Sequence, residues 1–197
     1  MTFWDRMAGL YDLAETLNKK VYDEMLSITE RMIPEYSTVL DVAAGTGELT
    51  MVACKKAERV VCSDLSLPML RRARMKCRRK GYDNVIFDAG DINHLSYDDE
   101  SFDVVIAGNV LHLIDDPKKG LDELYRVTKK GGKILVPTFT TSGATPLLKI
   151  YRLLGFNPSV EYTPFSYREM LMRNLGGDIR VKLIKGVIPC CYAVIRK

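Results

Sequence analysis

The chain has 197 residues, 47% of them hydrophobic and 27% charged; that length fits one domain, and that balance excludes a mainly disordered chain. No apolar run approaches the roughly 18 residues a membrane span needs. The N-terminus, Met1-Thr2-Phe3-Trp4-Asp5, has no basic stretch leading into an apolar one, so no signal peptide is expected and a cytoplasmic location is. The net charge is +4, but seven basic residues and no acid fall within 71–80, leaving −3 on the rest of the chain; this describes a near-neutral protein with one basic helix.

Leu17, Val21, Met25, Ile28 and Met32 recur at helical spacing. Pro34 ends that helix at Ile33, because proline disfavours helical geometry in the residue before it. Thr38–Val42 reads as a buried strand, followed by the glycine-containing turn Ala43–Gly47 and a helix through about Ala57. Arg59–Ser63 is a second strand. Ser66 and Pro68 open the basic helix, whose inward face is Met69, Leu70, Ala73 and Cys77, and Gly81 closes it. Val85–Phe87 and Phe102–Ala107 read as the third and fourth strands.

Asp116-Pro117 pairs an N-cap with proline at the first helical position. Leu121, Leu124, Tyr125 and Thr128 give that helix its inner face, and Gly131-Gly132 end it. Lys133–Pro137 is a fifth strand. Thr145-Pro146 opens a helix that stops at Gly155, and Ser166-Tyr-Arg-Glu169 matches the S-x-x-E capping box. Ile179–Lys185 and Ile188–Ile195 close the chain as strands.

Strand–helix alternation over the first 140 residues predicts an α/β fold with a parallel sheet, right-handed crossovers and helices on both faces. Gly186-Val187 is too short a link for a parallel crossover, so the last two strands form an antiparallel hairpin at the sheet edge. The whole chain, 1–197, reads as one domain. Its five cysteines lack metal-ligand spacing and fit free thiols in a reducing compartment. Cys190 and Cys191 alternate along a strand and face opposite sides, so they do not converge on one metal; no metal site is expected.

In such sheets ligands bind at the carboxyl ends of the strands. Three acids fall there: Asp41 ends strand 1, Asp64 follows strand 2, and Asp91 follows strand 3. Between them lies Asp41-Val-Ala-Ala-Gly-Thr-Gly47, whose glycines let backbone approach a ligand. It matches neither G-x-G-x-x-G nor G-x-x-x-x-G-K-[ST]. Without a third glycine or a lysine the turn suits a nucleoside with a small zwitterionic tail better than a pyrophosphate. Asp64 is placed to accept both hydrogens of a ribose diol. Asp91 is placed to accept from an exocyclic amine, and Leu65 and Met69 offer apolar surface to the ring.

These residues resemble the class I S-adenosylmethionine-dependent methyltransferases, nearest the ubiquinone/menaquinone C-methyltransferase-like subgroup of small-molecule enzymes. Val39-Leu-Asp-Val-Ala-Ala-Gly-Thr-Gly47 is similar to the family's first motif, and Asp64-Leu-Ser-Leu-Pro-Met-Leu70 to its ribose-binding segment. The run Gly90–Val105 is similar to the adenine-side segment and fourth strand, and Leu124–Leu135 to the passage into strand 5. The resemblance implies a Rossmann-like seven-stranded sheet of order 3-2-1-4-5-7-6 with strand 7 antiparallel. It implies S-adenosylmethionine as cofactor and S-adenosylhomocysteine as product. It further implies cofactor contacts from Tyr11, Asp41, Ala43, Ala44, Gly45, Thr46, Gly47, Asp64, Leu65, Met69, Gly90, Asp91, Ile92 and Asn109. Residues 1–34 become an N-terminal helical lid in which Tyr11 closes the site, and 139–178 a cap on the substrate side. Two positions depart from the pattern: Ala43 stands where the family usually has glycine, and Ser96 where it often has proline. An alanine suits the first only if φ there is negative.

Methyl transfer displaces a neutral thioether, so no universal catalytic residue is expected, only positioning and water exclusion. His112 reads either as a base or orienting group for the substrate or as a surface or capped loop histidine. His94 reads as structural. Tyr151, Phe156, Tyr162, Phe165 and Tyr167 in the cap favour a small apolar or aromatic acceptor. The N-P-P-[YFW] signature of amino methylation is replaced by Asn109-Val-Leu-His112, and no aromatics interleave with the basic run, so nucleic acid is a disfavoured partner. Two other readings remain open at this level: an RNA or protein methyltransferase recruited through helix 71–80, and a non-catalytic cofactor-binding regulatory domain.

Overall fold

A computed structural model describes residues 18–140 and 159–197. In chain order the elements are α1 (Lys19–Met32), β1 (Thr38–Val42), α2 (Glu48–Cys54), β2 (Arg59–Asp64), α3 (Leu67–Arg79), β3 (Val85–Ala89), β4 (Phe102–Ala107), α4 (Pro117–Val127), β5 (Thr128–Phe139), α5 (Pro164–Asn174), β6 (Asp178–Ile184) and β7 (Cys190–Arg196). The seven strands form one sheet of order β3-β2-β1-β4-β5-β7-β6. The first five run parallel, whereas β7 is antiparallel to both β5 and β6, so the closing hairpin sits at the edge as its short link requires.

Burial follows the period of each element. Every residue of β1 after Thr38 is buried, as are Val60 to Asp64 of β2, as expected of central strands covered on both faces. One face carries α1 and α2, whose Val21, Met25, Ile28, Leu49 and Val52 pack on Val39, Val60, Val104 and Leu135. The other carries α4 and α5, whose Leu121, Leu124, Tyr167 and Leu171 pack on Leu40, Val105, Ile134 and Ala193. The basic helix α3 turns Leu70 and Ala73 onto Cys62 of β2. Two buried hydroxyl pairings tie the layers: Thr29 Oγ1 and Tyr192 OH lie 2.6 Å apart, and Tyr167 OH donates to the Val136 carbonyl at 2.7 Å. Cys190 packs on one face of the sheet and Cys191 on the other, and all five cysteines are free and buried. Among the described residues no helix is long and apolar enough to cross a membrane.

The structure differs from the sequence reading at four places. The helix after the turn stops at Cys54 rather than near Ala57, because the chain tightens into i→i+3 bonds from Lys55 to Val52 and from Lys56 to Ala53. Thr128 is extended and begins β5; its hydroxyl donates to the Leu124 carbonyl at 2.6 Å and closes the last helical turn. Gly131-Gly132 therefore do not end a helix. They lie inside β5, with Gly131 at φ +76, where the pairing with β4 shifts register between Phe102 and Val104. The capping box forms three residues earlier than the S-x-x-E match: Thr163 is the N-cap, Pro164 takes N1, and Thr163 and Ser166 exchange side-chain and backbone hydrogen bonds. The helix expected after Thr145-Pro146 and the aromatic residues Tyr151 and Phe156 fall outside the described residues.

Candidate functional site

The turn from β1 into α2 changes hand three times. Ala43, Gly45 and Gly47 have φ of +51°, +57° and +86°. Backbone bonds lock it: the Ala44 N–H donates to the Ser63 carbonyl at 3.0 Å, and the Gly47 N–H to the Ala44 carbonyl at 3.0 Å. Gly47 is needed twice over, since a Cβ there would come within 2.8 Å of Ala73 Cβ on α3. Ala43 corrects an expectation. Its φ is positive, a conformation that costs an L-residue roughly 1 kcal/mol, and the surrounding bonds impose it.

Asp64 stands at the carboxyl end of β2 and joins two loops. Its Oδ2 accepts the Gly45 N–H at 2.8 Å, and its Oδ1 accepts the Ser66 N–H at 2.7 Å. Ser66 in turn caps α3 by accepting the Met69 N–H. Asp91 accepts the Asn93 N–H at 2.9 Å. Gly90 lies so close to β2 that a Cβ would meet Ser63 Oγ at 2.5 Å. After β4, Asn109 is left-handed at φ +54 and fixed on three sides. Its N–H donates to the Pro137 carbonyl at 2.7 Å, its Oδ1 accepts the Phe139 N–H at 3.1 Å, and its Nδ2 reaches Met25 Sδ at 3.9 Å.

These loops enclose a cavity of about 230 Å³ at the carboxyl ends of β1, β2, β3 and β4. Ala43, Gly45, Asp64, Leu65, Met69, Gly90, Asp91, Ile92 and Asn109 all line it. Ala44, Thr46 and Gly47 belong to the turn without lining the cavity. Thr46 Oγ1 accepts from Lys76 Nζ of α3 at 2.9 Å, and the same ammonium pairs with Glu48 at 2.8 Å. Tyr11 lies outside the described residues. Four lining residues escaped the sequence reading: Gly108, Val110, Leu113 and Ile114. The signal was present, because Gly108 follows β4 as Gly90 follows β3 and an apolar run comes after it.

Asp41 is set back from the cavity. It is fully buried within β1 and bound by Thr50 Oγ1 at 2.6 Å, while its Oδ1 has no hydrogen-bond partner among the described residues. Burial, reinforced by the charge of Asp64, pushes its carboxyl up to about 7. It supports the turn from behind through α2. His112 is not a surface histidine: it is 6% exposed, in the loop that lines the cavity but outside the lining itself, and its carbonyl accepts the Val160 N–H at 3.2 Å. Burial pushes its imidazole down to about 4, so it is neutral near pH 7. His94 lies 2.8 Å from Lys119 Nζ at the start of α4.

Of the cap aromatics, Tyr167 is fully buried in the core, with Tyr162 against it edge-to-face, whereas Phe165 is 73% exposed. Tyr167 is thereby a packing residue. The chemistry of the cavity is one-sided: two carboxylates, no cationic side chain, close backbone and an apolar wall. It fits a ligand that brings hydroxyl and amine donors, a flat apolar ring and a positive charge. S-adenosylmethionine has each of these, with its diol for Asp64 and its amine for Asp91.

Comparison with known proteins agrees. Residues 40–136 match the family model of a methyltransferase domain. The chain is similar to a demethylmenaquinone methyltransferase of Clavibacter sepedonicus, with 36% identity over 141 residues, 70% of this chain and 57% of that protein. It is similar along 98% of its length to a malonyl-[acyl-carrier protein] O-methyltransferase of Hamiltonella defensa, at 27% identity and over 72% of that protein. Among solved structures, a methyltransferase of Aquifex aeolicus, dependent on the same cofactor, shares the fold with a TM-score of 0.66, at 22% identity and with 92% of each chain covered. The chain thus spans little more than half the length of the Clavibacter relative.

Proposed function

The chain belongs to the S-adenosylmethionine-dependent methyltransferases, and we propose that it moves the methyl group of that cofactor to a small apolar or aromatic acceptor. The observation that carries this reading is the cavity at the strand tips, where Asp64 and the Gly45 backbone meet beside Asp91. When bound, the cofactor supplies an electrophilic methyl on a sulfonium and a leaving thioether that needs no proton. The work left to this chain is orientation and exclusion of water.

Asp64 takes the ribose hydroxyls, and Leu65 and Met69 flank the adenine while Asp91 and the Ile92 backbone meet its amino edge. The turn 43–47 and Asn109 hold the methionine end. Asn109 suits that task because its side chain is consumed by Phe139 and Met25, leaving its backbone to shape the wall. Val110, Leu113 and Ile114 give the acceptor side its apolar character. No residue is assigned a proton transfer. Tyr11 and the residues ahead of α1 supply the lid, 139–178 supply the acceptor cap, and the reaction runs in the cytoplasm, where five free thiols persist. The relatives' names make a quinone precursor or an acyl carboxylate the first acceptors to try.

The test is calorimetric titration with S-adenosylhomocysteine, followed by turnover on a panel of small quinols, phenols and acyl carboxylates. Saturable uptake with methylation of one class supports the reading. No uptake of the nucleoside, or turnover only on RNA or protein lost when Arg71, Arg72 and Arg74 are neutralised, overturns it.

A further inference from the structure

At the opposite end of the sheet, α1 and the β5–β7–β6 edge enclose a second cavity of about 480 Å³, a size typical of sites for one small molecule. Its floor is apolar: Ile28 and Met32 of α1 with Tyr192 and Val194 of β7. Its mouth is cationic. Arg31, Lys133 and Arg196 line it, and none of the three forms an ion pair among the described residues. The acids nearby are already engaged: Asp178 pairs with Arg180 at 2.9 Å and Glu24 with Lys182 at 2.8 Å. Lys133 and Arg196 are direct cross-strand partners in the β5–β7 ladder, a like-charge pairing that costs stability.

From this juxtaposition of an apolar pocket and three uncompensated cations, we propose that the cavity binds an amphiphilic anion: an alkyl chain on the floor, with a carboxylate or phosphate head held by Lys133, Arg196 and Arg31. The volume and enclosure fit a single free molecule. The observed strain gives the ligand its purchase. The Lys133 ammonium is disfavoured by its burial and then by the charges of Arg196 and Lys56, and an anion in the mouth reverses the last two effects. Its Nζ donates to the Met32 carbonyl at 2.9 Å, which fixes it at the end of α1. Arginine adds a fork that matches a planar or tetrahedral oxyanion.

This is a site separate from methyl transfer. Lys133 lies near the start of the core stretch of β5 and Phe139, beside the reaction cavity, at its end. Six residues of strand separate them by roughly 20 Å. The ligand here is therefore not the acceptor in transit, and the proposal stands whether or not the methylated molecule is the one named above.

The probe is decyl phosphate below its micellar concentration, titrated into the full chain by calorimetry, with inorganic phosphate and decanol as its two halves. Saturable binding of decyl phosphate, at least about tenfold tighter than either half, is expected from a charge-assisted contact acting with chain burial. Arg196→Gln changes an exposed side chain, and Lys133→Met a half-buried one. Each weakens binding by about tenfold or more while leaving S-adenosylhomocysteine affinity unchanged. Should Lys133→Met unfold, Arg196→Gln alone decides. Equal binding of decanol removes the cations from the argument, and equal binding of inorganic phosphate removes the floor. Competition with S-adenosylhomocysteine, binding only to anionic vesicles, or unchanged affinity in Arg196→Gln each overturns the proposal.

Discussion

The Gly45 amide donates to Asp64 Oδ2 across 2.8 Å, so the turn after β1 and the acid after β2 form one unit before any ligand arrives. An acid that already accepts two backbone hydrogens has a fixed orientation and still holds lone pairs for a diol. Asp64→Asn replaces one carboxylate oxygen with an NH2 group, which faces either the Gly45 or the Ser66 amide as donor against donor. Cofactor affinity should fall about 10- to 100-fold, the scale of a charged hydrogen bond lost, with a smaller loss of melting temperature. Calorimetry with S-adenosylhomocysteine and a thermal melt read the two effects apart; unchanged affinity removes Asp64 from the cofactor's ribose.

Gly47→Ala is expected to be costly for two independent reasons. The residue is left-handed at φ +86, and the new methyl would press on Ala73 Cβ at 2.8 Å and Cα at 3.2 Å. The combined penalty is about 2–4 kcal/mol, read by urea unfolding. Pairing it with Ala73→Gly should recover part of the loss, because that removes the clash and keeps the strain. A variant as stable as the parent would show that α3 yields freely, against the tie from Lys76 to Thr46 and Glu48.

Much of this arrangement was legible from residue order alone, and the exceptions share a cause. The limits of β1 and β4 follow from short apolar runs bounded by turn residues, and α3 from Ser66-Leu-Pro68 with its inward Met69, Leu70, Ala73 and Cys77. The acids at strand ends place the cavity because topology, not side-chain detail, puts them there. What the order of residues did not reveal depends on partners far away in sequence. Thr128 looked helical until β4 offered a strand to pair with. His112 looked like a loop residue, yet it is buried with Val160 bonded to its carbonyl. Asp41 looked like a ligand-facing acid, but the buried face of β1 and Thr50 claim it. Ala43 is left-handed because the bonds of its neighbours leave it no other course, which its own identity does not signal.

The pairing of Thr29 with Tyr192 predicts coupled stability across the sheet. Their hydroxyls meet at 2.6 Å, and Thr29 also lies 2.9 Å from the Met25 carbonyl. Thr29→Val and Tyr192→Phe should each cost about 1–3 kcal/mol by leaving a buried hydroxyl or carbonyl without its partner. The double variant should cost less than the two added together, since it removes both halves of one contact. Strict additivity in a double-mutant cycle would mean that the two groups do not sense each other.

The two buried titrating groups near the cavity pull stability in opposite directions with pH. Asp41 is raised from 3.8 to about 7 by burial, so between those values the folded chain holds a proton that the unfolded chain has released. Its contribution is fully present below pH 3.8 and is lost as pH rises to about 7. His112 is lowered from 6.5 to about 4 by burial, so the unfolded chain holds the extra proton. Its contribution is present above pH 6.5 and is lost as pH falls to about 4. Across pH 4 to 6.5 the two slopes oppose, and each group alone spans several kcal/mol at about 1.4 kcal/mol per unit. Asp41→Asn should therefore make stability climb steeply with pH in that window. His112→Asn should make it decline with pH there, and the parent should be flatter than either. Urea unfolding at half-unit steps from pH 4 to 8 reads all three curves. Variant curves that merely lie below the parent's, parallel to it throughout, would show that neither group titrates as its burial requires.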